Sequence, residues 1–247
     1  MTDVQSLKRP SVLRRFGAGL MLALVFALMV LALPAFRTLL YQPFNIPAGS
    51  MMPTVLVGDF LFVSKYAYGY SRYSFPFTPP LFTFTGRIFG STPERGDVVV
   101  FRLPRDDSTD YIKRIVGLPG DKIQMIGGQL YINGTAVKRE RAEDFVGTED
   151  GRQTKPIKRW KETLPNGASY YTLDLVESSF YDNTPVYTVP PDQYFMLGDN
   201  RDNSTDSRVL SQVGYVPIDH LVGRASIIFF SIGGEEVRWD RLFKRVE

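Results

Sequence analysis

The chain contains no cysteine and a single histidine, His220. Without cysteine there is no thiolate nucleophile, and any Ser-His-Asp arrangement must use that one imidazole. Charge of one sign is also scarce. A net +3 over 247 residues, with no long basic run, is a poor footprint for nucleic acid. The missing cysteine leaves the compartment open: it suits a cytosolic protein and equally an exported one held together without disulfides.

The N-terminus speaks to the compartment more directly. Lys8, Arg9, Arg14 and Arg15 precede an uncharged apolar stretch from about Gly17 to Phe36. At ~1.5 Å rise per residue, a helix of that length spans a hydrocarbon core of ~30 Å. The alternative is a cleaved signal peptide, whose apolar region is shorter, about 7–15 residues. Leu33 also fits poorly in a small-residue cleavage site ending at Ala35. Basic residues ahead of the helix keep the short N-terminus in the cytoplasm. The sequence therefore predicts a cytoplasmic segment over 1–16, a single-pass transmembrane anchor and exit over 17–40, and an exported body.

Beyond the anchor no long segment carries a helical face. Val98-Val99-Val100-Phe101, residues 112–116 and residues 226–231 are short, β-branched runs that read as strands. Asn133-Gly134 between apolar flanks, in residues 130–137, is a two-residue hairpin signal. The predicted fold is mainly β: an N-terminal transmembrane helix, then an antiparallel β catalytic domain over 41–137 and 188–247, with a smaller β subdomain inserted at 138–187. Lys155, Lys158, Arg159 and Lys161 in the insert read as a solvated face. Residues 60–90 are crowded with Tyr66, Tyr68, Tyr70, Tyr73, Phe75, Phe77, Phe82 and Phe84, broken by Pro76, Pro79 and Pro80. They suit either a core hairpin with a loop or a surface resting among lipid headgroups.

The candidate chemistry rests on a serine and a lysine. Ser50 sits in Ile46-Pro47-Ala48-Gly49-Ser50-Met51-Met52-Pro53, where glycine permits close backbone approach and the prolines stiffen the flanks. Lys113 sits in Tyr111-Ile112-Lys113-Arg114-Ile115-Val116, a strand that can bury it. An exposed strand lysine would be protonated and inert. A desolvated one can be the base that serine needs. A third cluster, Gly198-Asp199-Asn200-Arg201-Asp202-Asn203-Ser204-Thr205-Asp206-Ser207-Arg208, spaces its carboxylates in a manner that suggests calcium. It lacks the central glycine and terminal glutamate of an EF-hand, so we read it as a braced turn with no metal.

Taken together these stretches resemble bacterial type I signal peptidase, the membrane-anchored Ser-Lys protease family that removes signal peptides from exported proteins. The resemblance runs through residues 46–59 around Ser50, Arg95-Gly96-Asp97-Val98-Val99-Val100-Phe101, residues 111–121 around Lys113 and residues 198–208. Leu221-Val222-Gly223-Arg224-Ala225 and Arg238-Trp239-Asp240-Arg241-Leu242-Phe243 also fit.

The resemblance implies that Ser50 is the nucleophile and Lys113 the general base, with the Ser204 hydroxyl orienting the amine. It implies an oxyanion site at the Ser50 backbone N–H, and structural roles for Asp199, Arg201, Asp206 and Arg208. Phe44, Ile46, Pro47, Met51, Val55, Tyr111 and Ile112 correspond to positions lining pockets for small substrate residues. Many Gram-negative members carry serine where this chain has Ala48, which removes one oxyanion donor. No cofactor is implied. The expected partners are the signal peptides of exported preproteins and membrane lipid, and the expected location is the inner membrane with the body on its outer face. Three rivals share parts of the pattern. They are a Ser-Lys autoprotease of the SOS-repressor kind, a processing peptidase dedicated to a secretion or conjugation system, and a non-enzymatic membrane-anchored β binding module.

Overall fold

A computed structural model of the chain describes residues 12–74, 85–149, 152–153 and 155–247. The chain starts in α1 (Val12–Leu39), built from the apolar run. Leu20, Met21, Leu22, Leu24, Phe26, Leu28 and Met29 all stand exposed on it, pointing in every direction around the axis. Among the described residues no helix is long and apolar enough to cross a membrane.

From α1 the chain passes directly into β1 (Tyr41–Asn45), a short 3-10 turn at Gly49–Met51, and β2 (Asp59–Ser64). Further on, β3 (Val98–Arg102) and β4 (Asp110–Gly117) form a hairpin. The meander β5 (Lys122–Ile126), β6 (Gln129–Ile132) and β7 (Thr135–Ala136) follows, then β8 (Lys138–Arg141). A two-residue pair, β9 (Thr148–Glu149) and β10 (Arg152–Gln153), precedes β11 (Lys158–Thr163) and β12 (Ser169–Asp174). The chain closes with β13 (Tyr187–Thr188), β14 (Gln193–Leu197), β15 (Val216–Pro217), β16 (Leu221–Gly233) and β17 (Glu236–Val237).

The main sheet has eight strands in the order β1-β2-β16-β3-β4-β14-β15, with β17 paired to β16. Every pair in it is antiparallel. Val98–Phe101 is buried on both faces, as a run of Val-Val-Val-Phe must be to sit in the middle of a sheet. Strand β4 is exposed at Asp110, half-buried at Tyr111 and Ile112, and buried from Lys113 onward. Lys113 therefore stands at the boundary between solvent and core.

Between β4 and β14 the chain leaves this sheet. Strands β5, β6, β7 and β13 make one small sheet and β8, β11 and β12 another. Asn133 and Gly134 turn β6 into β7 with φ of +53° and +79°, the left-handed pair that a two-residue hairpin demands. Neither small sheet is detached. Tyr170 of the second, with Leu164 from its β11–β12 turn, shares a core with Val116, Phe195 and Leu197 of the main sheet.

The aromatic segment is anchored to the body where it is described. Tyr70 and Ile88 pair across it. Arg87 donates to the carbonyls of Tyr68, Gly69, Ile218 and Leu221 at 2.6–2.9 Å. Tyr68 is buried and donates to Asp97 at 2.7 Å. Phe75, Phe77, Phe82 and Phe84, with Pro76, Pro79 and Pro80, lie outside the described residues. A second aromatic cluster forms on the main sheet itself. Alternation along β2 buries Leu61 and Val63 and leaves Phe60 and Phe62 on the opposite face. There Phe62 stacks on Phe229 at 4.3 Å, Phe60 meets Phe229 and Phe230, and Tyr41 joins from β1.

Candidate active site

Ser50 occupies the 3-10 turn at Gly49–Met51, entered from Ala48 in extended conformation. Ile46, Met51 and Val55 anchor this segment from below, packing with Leu61, Val63, Val98 and Val100. The turn thus lies on the β3–β4 hairpin with Ser50 facing β4. The Lys113 amine is 2.7 Å from Ser50 Oγ and donates also to the Ile112 carbonyl at 2.9 Å. It lies 5.3 Å from the centre of the Tyr111 ring.

Burial sets the lysine's chemistry. Only 3 % of Lys113 is exposed. Desolvation pushes its amine down to about 8 from an ordinary 10.5, against the nearby charges of Asp206 and Asp199, which hold it up. At neutral pH a tenth or so of such lysines carry a free amine, against fewer than one in a thousand in water. A primary amine with a lone pair, in contact with a hydroxyl, is a base set beside a nucleophile.

The turn over residues 198–208 closes the site from the other side. Asn200 donates its backbone N–H to the Ser50 carbonyl and its side-chain amide to the Gly49 carbonyl, both at 3.0 Å. The two loops are therefore bound to one another at the nucleophile itself. Ser204 is buried against Gly198 and the Ser50 carbonyl. Its hydroxyl helps to stabilise the Asp206 carboxylate and makes no bond to the Lys113 amine.

The charged residues of this turn pair in three separate ways. Asp206 binds Arg208 within the turn, at 2.8 Å through both oxygens, and also accepts from the Gly198 N–H. Burial works against the Asp206 carboxylate, but the Arg208 guanidinium outweighs it and holds the carboxyl below its usual range. Asp199 binds Arg114 of β4 in a two-pronged pair at 2.9 and 2.7 Å and accepts from Thr54 at 2.6 Å. Arg201 reaches into the insert, to Glu162 at 3.0 and 2.5 Å. Of these partners, Arg114, Thr54 and Glu162 carry no signal in the sequence alone.

Among the residues expected to contact substrate, Phe44, Ile46, Met51, Val55 and Ile112 fall in one cluster beneath and beside Ser50. Met51 and Val55 are fully buried and underlie this segment. Pro47 and Ala48 are exposed beside Ser50. Tyr111 shares the Lys113 face of β4, with its ring 5.3 Å from the amine, and packs against Phe101 and not with the Ile112 cluster. His220 stands far from this chemistry in its bonding. Its ring nitrogen meets the Arg102 carbonyl, and burial depresses its pKa. No cluster of metal-binding side chains occurs among the described residues.

The family model for signal peptidase, peptidase S26, matches residues 18–230. The chain belongs to that family. A signal peptidase I of Rickettsia prowazekii (strain Madrid E) is 47% identical over 212 residues, 83% of this chain and 78% of that protein. One from Rickettsia typhi (strain ATCC VR-144 / Wilmington) is 48% identical over 201 residues, 79% and 74% of the two chains. A solved signal peptidase I from Enterococcus faecalis V583 aligns at 27% identity with a TM-score of 0.31, covering 54% of this chain and 97% of that one. That overlay is too loose to bear on the geometry above.

The family's motifs acquire physical reasons here. Asp59 and Arg241, from the first and last of the matching stretches, form a buried pair at 2.5 Å. Arg95 binds Asp121 at 2.8 Å, and Asp97 accepts from Tyr68, so the Arg-Gly-Asp run is a brace at the base of β3.

Proposed function

We propose that this chain is a membrane-anchored serine endopeptidase that removes N-terminal signal peptides from exported preproteins, using Ser50 and Lys113. The observation that carries this reading is the 2.7 Å contact between a hydroxyl and a buried lysine amine whose pKa lies near 8. Neutral Lys113 takes the Ser50 proton as Oγ attacks the carbonyl that follows a small residue. The tetrahedral oxyanion rests on the Ser50 backbone N–H, with no side-chain donor from Ala48. Protonated Lys113 then gives its proton to the leaving amine. Water, deprotonated in turn by the lysine, releases the acyl group and restores Ser50. Phe44, Ile46, Pro47, Met51, Val55, Tyr111 and Ile112 are proposed to bound the pockets for small side chains. Ser204, and the paired Asp199, Arg201, Asp206 and Arg208, hold the turn against the nucleophile.

Anchoring follows from α1. The apolar residues of its described middle, 19–30, are exposed all round, an arrangement that water does not favour and lipid does. We read it as a single pass through the inner membrane, its basic N-terminus cytoplasmic and the β body on the outer face. Tyr41 of β1, the strand that follows that helix, shares one aromatic face with Phe60 and Phe62 of β2 and Phe229 and Phe230 of β16, and this face suits the headgroup layer. Signal peptides are held in the same bilayer, so enzyme and cleavage site share one plane. Incubating the purified chain with a preprotein and sequencing the new N-terminus tests the activity. Cleavage that persists in Ser50→Ala or Lys113→Ala would refute the assignment of the pair.

A further inference from the structure

The inserted sheet touches the turn over residues 198–208 at three places. Leu173, at the end of β12, donates its N–H to the Asp199 carbonyl at 2.9 Å. The Asp202 carboxylate accepts from the backbone N–H groups of Leu175 and Val176 at 2.7 and 3.0 Å. The Arg201 guanidinium donates two bonds to the Glu162 carboxylate of β11 and a longer one, 3.3 Å, to the Tyr170 hydroxyl of β12.

The third contact is chemically unlike the other two. Glu162 has no solvent exposure, although its neighbours Lys158 and Lys161 on β11 face water. Besides Arg201, it accepts from the Tyr170 hydroxyl at 3.0 Å, and the Arg139 guanidinium lies 3.9 Å away. A fork-on-fork pair of this kind admits one orientation, so it fixes direction as well as distance. Arg201 passes that orientation on. It donates to the Gly198 carbonyl at 3.2 Å, and its own carbonyl accepts from Arg208 at 2.6 Å. Gly198 packs on the Ser50 carbonyl, and Asn200, next to Arg201, is bonded to it. Two residues separate the Glu162 carboxylate from the nucleophile's backbone.

We propose that the inserted sheet holds the catalytic turn in place through Glu162, a positioning residue for the peptidase reaction that acts by way of Arg201. This rests on the reading of Ser50 and Lys113 as the reacting pair. Glu162→Gln keeps the shape and removes the charge. The slackened turn then misplaces Ser50 relative to Lys113 and admits water beside the amine. Misplacement of about 1 Å costs about 100-fold.

The experiment uses the full-length chain in detergent and a preprotein substrate. Glu162→Gln is expected to lower kcat about 10- to 100-fold while KM changes by less than about threefold. The rising limb of its pH–rate profile should move to higher pH, as hydration returns the amine toward 10.5 among the charges of Asp199, Asp206 and Arg208. Lys158→Ala, which removes the exposed Lys158–Glu177 pair from the same sheet, should leave both readouts as they are. A folded Glu162→Gln with unaltered kcat and pH profile would overturn the proposal, as would an equal loss in Lys158→Ala. Should Glu162→Gln fail to fold, Asp202→Asn decides, since it weakens the second tie without stranding a buried charge. It should lower kcat several-fold with KM preserved, and normal turnover would overturn the proposal. If the wild type cuts no preprotein, or Ser50→Ala cuts as well, the peptidase reading itself has failed and this inference falls with it.

Discussion

Gly198 and Ser204 leave no room for a methyl group between them. A β-carbon on Gly198 would stand 2.2 Å from Ser204 Oγ and 2.6 Å from the Ser50 carbonyl oxygen. Gly198→Ala must therefore push the turn away from the nucleophile. We expect a fall in kcat of at least about 100-fold with the circular dichroism of the folded protein retained. Normal turnover in that variant would show that the turn and the nucleophile move independently.

Lys113→Arg keeps the positive charge and loses the chemistry, because a guanidinium does not give up its proton. It should be inactive in preprotein cleavage. In the wild type, kcat/KM should climb about tenfold per pH unit until the amine is free near pH 8, then level off. A profile that is flat across the neutral range would mean that the lysine is not the titrating base.

The same lysine weakens the fold. Its amine binds protons with a pKa near 10.5 when unfolded and about 8 when folded. Between those values the unfolded chain holds more protons, so stability rises with pH through that window. Below about pH 8 the whole penalty is present, about 3 kcal/mol for a group so deeply buried. Lys113→Met should accordingly be more stable than the wild type at neutral pH, by up to about 3 kcal/mol. The difference should vanish above the lysine's unfolded pKa. Urea unfolding at two pH values measures it, and a destabilised Lys113→Met would contradict this account.

Asp199→Ala strands the Arg114 guanidinium, which is 1 % exposed and stacks at 4.0 Å on the Tyr170 ring. Removing one partner of a buried ion pair costs about 3–5 kcal/mol. The denaturant midpoint should fall by a corresponding amount. A loss under about 1 kcal/mol would show that water reaches Arg114 once its partner is gone.

Much of this molecule could be read before its shape was known, and the reason is local. The β-branched runs at 98–101 and 112–116 and the Asn133-Gly134 turn carry their conformation in adjacent residues. Ser50 and Lys113 were legible because so few other groups could do the chemistry. Glu162, Arg114 and Thr54 were not. Glu162 lies in Lys-Arg-Trp-Lys-Glu-Thr, where nothing separates the one buried charge from its solvated neighbours. Its partner is 39 residues away, and only the folded sheets bring the two together. The outward aromatic face was hidden for a similar reason. Phe60 and Phe62 meet Phe229 and Phe230 through the pairing of β2 with β16, across more than half the chain.

That pairing also sets a clock. Strand β16 lies between β2 and β3, so the sheet edge under Ser50 joins the hairpin bearing Lys113 through residues 221–233. Ribosomes add about 5–20 residues per second, so Lys113 is made on the order of ten seconds before that strand. During this interval the chain holds a hydroxyl and an amine with no sheet to unite them and no burial to free the amine of its proton. Strand order and the late turn over residues 198–208 together place completion of the site near the end of synthesis.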